Sequence, residues 1–195
     1  MRRSRIGDVY ATKVPNGYKL YQRAYDIPKK GKFIRVFEGL YDSIPDNIAQ
    51  IVDGPHSYII DFPASGAYRL GLAQFIGNYP VPEKYPFPNY EFTPYQSSDG
   101  IISQIEINRT DLSSFQVYRV SQMKDLPEEF RELKLLGWAL DPPRVLYLVD
   151  INWSPANLSS FKPGRSKAEF TAILQKYVDM VAEARKKLDN GGNSV

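Results

Sequence analysis

Residues Ile6 to Ala24, IGDVYATKVPNGYKLYQRA, constrain the fold more than any other stretch of the chain. Two arms rich in Tyr, Val, Thr and Leu flank Pro15-Asn16-Gly17. That tripeptide suits a type I turn: proline fixes φ at the first corner, asparagine takes the second, and glycine adopts the left-handed conformation that lets the strands re-pair. The stretch therefore reads as a β-hairpin, with FIRVFEGLY from Phe33 to Tyr41 laid against it as the next strand. Ile34, Val36 and Leu40 lie on one face of that strand and Phe33, Phe37 and Tyr41 on the other, so both faces are expected to be covered.

The remaining chain adds strands and helices to this start. Ser43 with Asp46 three residues later predicts a short helix that carries Ile48, Ile51 and Val52 on one side and stops at Gly54. SYIIDF from Ser57 and YRLGLAQFIG from Tyr68 read as strands. After the turn signal Ser97-Ser98-Asp99-Gly100, IISQIEINRT alternates isoleucine with polar residues as a half-buried antiparallel strand does, and SFQVYRV from Ser114 is its expected partner. Asp125-Leu126-Pro127-Glu128 predicts a helix to about Leu136, ended by Gly137. In its first turns Glu128, Glu129 and Glu132 would suit the helix dipole or form an acidic binding patch. RVLYLVDINW from Arg144 reads as a central strand. Ser166 and Glu169 form a capping box before a long helix with apolar residues from Phe170 to Leu188 at helical spacing, and Gly191-Gly192 lies beyond its end.

These elements predict one α+β domain over residues 6–190: a β-rich core over 6–120 and a helix-strand-helix extension over 125–188. Residues 1–5 and 191–195 are expected to be disordered. The sheet is expected to be mostly antiparallel and strongly bent, or a partly open SH3-like barrel, with the C-terminal helix packed on it. With no cysteine, thiol nucleophiles, disulfides and cysteine-held metals are excluded. No apolar run approaches the about 20 residues a membrane helix needs, and MRRSR is followed by a strand pattern instead of an apolar signal core, so a cytoplasmic location is expected. The net charge of +3 is too small to mark a nucleic-acid binder.

Two groups of side chains are candidates for partner binding. YPVPEKYPFPNYEFTPY, from Tyr79 to Tyr95, holds five prolines among repeated aromatics. Tyr85, Phe87 and Tyr90 would either paste this loop onto the sheet or face a partner, since aromatic residues dominate interface hot spots. The acidic trio Glu128, Glu129 and Glu132 is the second group. Catalytic signals are weak. His56 is the only histidine and reads as an ordinary loop residue. Ser121-Gln122-Met123-Lys124 matches S-x-x-K without the partner motifs of the penicillin-recognising enzymes. No phosphate loop, dinucleotide fingerprint or metal motif is present, so neither an enzyme nor a cofactor or metal site is expected.

RIGDVYATKVPNGYKLYQRAYD resembles the opening of the immunity protein 26 family, in which a G-D-[VI]-[FY] strand, a polar turn and a return strand begin the domain. FIGNYPVPEKYPFPNYEF resembles the same family's I-G-N strand end, P-[VI]-P-E turn and proline-aromatic run. The likeness covers roughly residues 5–95, and Gln22-Arg23-Ala24 departs from it by lacking a glycine. It implies a bacterial cytoplasmic protein that binds and neutralises a cognate toxin of a polymorphic toxin system, through a surface of roughly 800 Å² per partner and without catalysis. The same G-D-V-Y opening also resembles ribonuclease toxins of the MazF/PemK type, whose barrels serve as nucleic-acid modules. On that alternative, Lys29, Lys30, Lys32 and Arg35 near Tyr25 would form a cationic face.

Overall fold

The computed structural model describes residues 3–96, 102–120, 122–137, 140–161 and 166–191. The hairpin forms as its turn chemistry requires: β1 (Asp8–Val14) pairs antiparallel with β2 (Gly17–Ile27), and Val14 lies opposite Gly17 across Pro15-Asn16. Gly17 has φ 141°, and a Cβ there would sit 2.6 Å from the Tyr41 carbonyl oxygen, so only glycine fits without strain. β3 (Gly31–Phe37), β4 (His56–Asp61) and β5 (Gln74–Asn78) complete a five-stranded antiparallel sheet in the order β4-β3-β2-β1-β5. β6 (Tyr90–Gln96), β7 (Ile102–Arg109) and β8 (Phe115–Tyr118) make a second, three-stranded antiparallel sheet.

Residues 134–137 stitch the two sheets together. Ile59 N donates to Lys134 O (2.8 Å) and Leu136 N to Ile59 O (2.9 Å), while Phe92 N donates to Leu135 O and Gly137 N to Phe92 O, both at 2.9 Å. The segment thus runs parallel to β4 on one side and β6 on the other. The architecture is an open, bent sheet system and not a closed barrel, with β5 and β8 as its outermost strands.

Among the described residues, four α-helices cover this frame: α1 (Ile48–Asp53), α2 (Ala64–Arg69), α3 (Pro142–Asp150) and α4 (Lys167–Gly191). β3 is buried on both faces as expected. Its Ile34 and Val36 join Tyr10, Tyr21, Tyr58 and Phe92 in the main core, which also takes in α3 and Leu174, Tyr177 and Val181 of α4. On the other face Phe37 packs with Leu20, Ile48 and Val52, and Phe33 with Tyr25, Ile59 and Leu135. α4 starts on the predicted capping box: Ser166 N donates to Glu169 Oε2 (2.8 Å) and Glu169 N to Ser166 Oγ (3.2 Å).

Several expectations are overturned. Arg144–Trp153 is not a strand; α3 occupies most of it, with Asp141 accepting from Arg144 N as N-cap and proline at the first two helical positions. Val145 to Asp150 are all buried because α3 packs on β1, β2 and α4, and its five successive apolar residues from Val145 to Val149 look like the run of a central strand. The helix predicted from Asp125 to Leu136 is two 3-10 turns, Met123–Asp125 and Glu128–Phe130, followed by the extended stitch. Backbone bonds to both sheets there outweigh local helix propensity. Tyr68 ends a helix instead of opening a strand, and β5 begins only at Gln74. Ser43 does not cap α1, whose N-cap position is Asn47.

At the N-terminus, Ser4 and Arg5 are tied down, since Arg5 N donates to Asp8 Oδ2 (2.8 Å) and Arg23 Nη1 to Ser4 O. Gly191 belongs to α4. Residues 1–2 and 192–195, the Ser97–Gly100 turn and Ser121 lie outside the described residues.

Candidate protein-binding surface

The two motifs that carry the family resemblance meet in space. Asp8 pairs with Asn78 across β1 and β5, and Asn78 Nδ2 donates to Asp8 Oδ1 (2.9 Å) and Ile6 O (3.1 Å). Gly7 N donates to Arg23 O (2.8 Å) and Tyr79 N to Gly7 O (2.9 Å). Gly7 has φ 91°, and a Cβ would come 2.6 Å from Tyr79 O. G-D-V-Y and I-G-N are therefore the two halves of one strand-pairing lock, which gives these residues a structural role.

The proline-aromatic segment is pasted onto the sheet. Phe87 packs edge-on against Tyr25 (5.2 Å between ring centres) and lies 5.1 Å from Phe33, while Tyr25 Oη donates to Tyr85 O (2.8 Å). Tyr90 stands edge-on to Phe130 at 5.4 Å. Tyr85 covers the most unusual group in the molecule, the fully buried guanidinium of Arg35, at 4.2 Å from its ring centre. Arg35 donates to Gln22 Oε1 (3.1 Å), Val52 O (3.5 Å), Gly54 O (3.3 Å) and His56 Nδ1 (3.4 Å). The three aromatics expected at a partner are thus half-buried against their own fold.

This geometry removes Arg35 from any exposed cationic face, and Tyr25 is buried as well. Lys30 pairs with Glu91 at 3.7 Å, which leaves Lys29 and Lys32 as the exposed lysines of that loop.

His56 opens β4 and is buried, so the loop reading gives way to a packed one: its ring stands edge-on to Tyr85 at 5.2 Å. Burial, then the charges of Arg35 and Lys134, hold its pKa down to about 3. The unfolded chain takes up this proton near the usual imidazole value of about 6.5, the folded chain only near 3, so the stabilisation is complete above the first value and lost as pH falls toward the second. From about pH 7 to about pH 5 the native protein is expected to lose about 1–2 kcal/mol more stability than His56→Gln. Urea midpoints that shift equally in both proteins would refute this.

The second candidate group is exposed. Glu128 and Glu129 lie on the second 3-10 turn and Glu132 just beyond it, all turned to solvent. The turn is pegged from beneath by Leu126 and Phe130, both buried, with Phe130 against Tyr90 and Tyr118. Arg131 Nε closes it by donating to Leu126 O (2.9 Å).

An exposed apolar strip escaped the sequence reading. On the outer face of the second sheet Phe115 is 68% and Val117 46% exposed, with Leu112 at the adjoining turn and Tyr95 across the sheet. Alternation along IISQIEINRT marks which face of β7 is buried, but the short β8 repeats it with large apolar residues outward, a departure visible only once the covered face is known.

No family model, curated protein or solved structure matches this chain. No described helix is long and apolar enough to cross a membrane, and no group of three His, Asp or Glu among the described residues could hold a metal ion.

Proposed function

We propose that this chain is a bacterial cytoplasmic immunity protein that binds and neutralises a cognate protein toxin, acting through its surface and not through chemistry of its own. The observation that carries the reading is the pegged acidic turn: Leu126 and Phe130 fix the backbone while Glu128, Glu129 and Glu132 project into solvent. A turn already ordered loses little entropy on binding, and three carboxylates on it steer and orient a cationic partner surface. A nuclease-type toxin offers such a surface where it holds nucleic-acid phosphate. The G-D-V-Y and I-G-N lock supports the reading from another side, since the two motifs on which the resemblance to the immunity family rests act together as one structural unit.

The test is calorimetric titration with the purified product of the reading frame next to this gene, which the proposal requires to be a toxin domain. The combined variant Glu128→Gln, Glu129→Gln, Glu132→Gln is expected to weaken binding by tenfold or more (about 1.4 kcal/mol) at low salt, with thermal unfolding unchanged. Equal affinity would show that the acidic turn is not the contact, and no affinity in the native protein would remove the immunity reading.

A further inference from the structure

Among the described residues the outer edge of β8 pairs with no strand and is self-complementary, and the geometry points to a two-fold homodimer in which β8 of one copy pairs antiparallel with β8 of a second, joining two three-stranded sheets into one of six strands. Arg109 N donates to Ser114 O (3.1 Å), which sets the phase of the β7–β8 ladder. Ile107–Gln116 and Ile105–Tyr118 then exchange backbone bonds, whereas Asn108–Phe115 and Glu106–Val117 do not. The N–H and C=O groups of Phe115 and Val117 consequently point away from β7, toward the open side of the sheet.

A two-fold axis normal to the sheet through Gln116 sets Phe115 of one copy opposite Val117 of the other, twice. These are the residues with outward backbone groups, so each pair closes a ring of two hydrogen bonds. The axis also keeps their side chains on one face, which makes both pairs aromatic on β-branched. A shift of one residue would oppose Phe115 to Gln116, whose side chain is on the other face, and a shift of two would leave only one apolar pair of Phe115 and Val117 residues instead of two.

Charge favours the same occupant. Edge strands are normally protected by lysine, proline, a bulge or a covering segment. Phe115-Gln116-Val117-Tyr118 carries no charge and no proline, and no bulge interrupts its pairing with β7. The edge of β4 is covered by the stitch at 134–137, and so is that of β6. A second copy meets no like charge along the strand and finds its own apolar pair in register. Four residues make a small contact, so the dimer belongs to the weak, concentration-dependent class.

Sedimentation velocity on the full chain, over concentrations on the order of 10 to 500 µM, is expected to show a monomer converting to a dimer. Val117→Lys, an exposed position, is expected to hold the monomer throughout while its melting temperature at low concentration stays native. The glutamate-to-glutamine triple variant of the acidic turn is expected to dimerise as the native chain does, which separates this interface from the proposed toxin contact. The register has its own test because the native chain contains no cysteine. Gln116→Cys, on the axis, is expected to cross-link to itself under mild oxidation, and Ser113→Cys, off it, is not. A monomer at every concentration, a dimer indifferent to Val117→Lys, or equal cross-linking from the two cysteine variants would each overturn the proposal.

Discussion

Replacing Arg35 with alanine is expected to lower the free energy of unfolding by roughly 3–5 kcal/mol, read from urea denaturation of the purified protein. The size follows from what the side chain holds. It is wholly buried, near the middle of β3, and reaches β2 through Gln22, the end of α1 through the Val52 and Gly54 carbonyls, and β4 through His56. Gln22 passes the connection on, donating through Nε2 to Tyr79 O (2.8 Å). Truncation opens a large cavity under Tyr85 and leaves buried acceptors without a donor. Arg35→Lys keeps the charge but loses the planar fork and the stack on Tyr85, and a loss of about 2 kcal/mol or more is expected there too. Desolvation lowers the pKa of Arg35, which the neighbouring Tyr25, Tyr85 and Asp53 partly offset. Hydrogen exchange should accelerate over residues 79–87 in the alanine variant, because Tyr85 loses its seat. An alanine variant within about 1 kcal/mol of native would show that Arg35 is not the pin.

A comparable loss, about 2–4 kcal/mol, is expected for Asp150→Ala. Asp150 is the last residue of α3, and its carboxylate joins three parts of the chain. Oδ1 accepts from Asn16 N in the hairpin turn (2.9 Å), and Oδ2 accepts from Tyr177 Oη (2.7 Å) and Lys176 Nζ (3.2 Å) of α4. The side chain is 1% exposed, so removing it strands the buried Tyr177 hydroxyl without an acceptor and releases the hairpin turn at Asn16 N. Tyr177→Phe removes one of the three donors and leaves the others, so a smaller loss of about 1 kcal/mol is expected. Thermal melts of the two variants, compared at neutral pH, check the order. A phenylalanine variant as damaged as the alanine one would place the weight on Tyr177 packing and not on the carboxylate.

The parts of this fold that could be read from sequence are those fixed by chemistry within a few residues. Pro15-Asn16-Gly17 contains its own turn, and Ser166 with Glu169 contains the start of α4. Alternation along β7 gave its buried face, since Ile105 and Ile107 are in the core. α3 reads as a strand because Val145 to Val149 are five successive apolar residues, all buried, which mask the helical period. Asp141-Pro142-Pro143 nonetheless carried an N-cap followed by prolines at positions where helices tolerate them. The segment from Asp125 to Leu136 held no such local clue. Its conformation is decided by bonds from Lys134 to Gly137 toward Ile59 and Phe92, residues distant in sequence.

The site divided in the same way. Glu128, Glu129 and Glu132 were recognisable as charges that stay outside. The Arg35 cluster was not, because a guanidinium is ordinarily assigned to the surface and only the fold brings Gln22, Gly54, His56 and Tyr85 around it. Tyr85, Phe87 and Tyr90 were legible as a group that either anchors a loop or meets a partner, and only the fold shows them packed on Arg35, Tyr25, Phe33 and Phe130. Their half-buried packing leaves the acidic turn as the stronger candidate for a partner.

The decisive measurement is the growth of bacteria that express the product of the neighbouring reading frame, proposed to be the toxin, with and without this protein. The native chain is expected to restore growth, and the variant with Glu128, Glu129 and Glu132 changed to glutamine to restore it poorly at equal expression. Cells that die as readily with the native protein as without it would contradict the account.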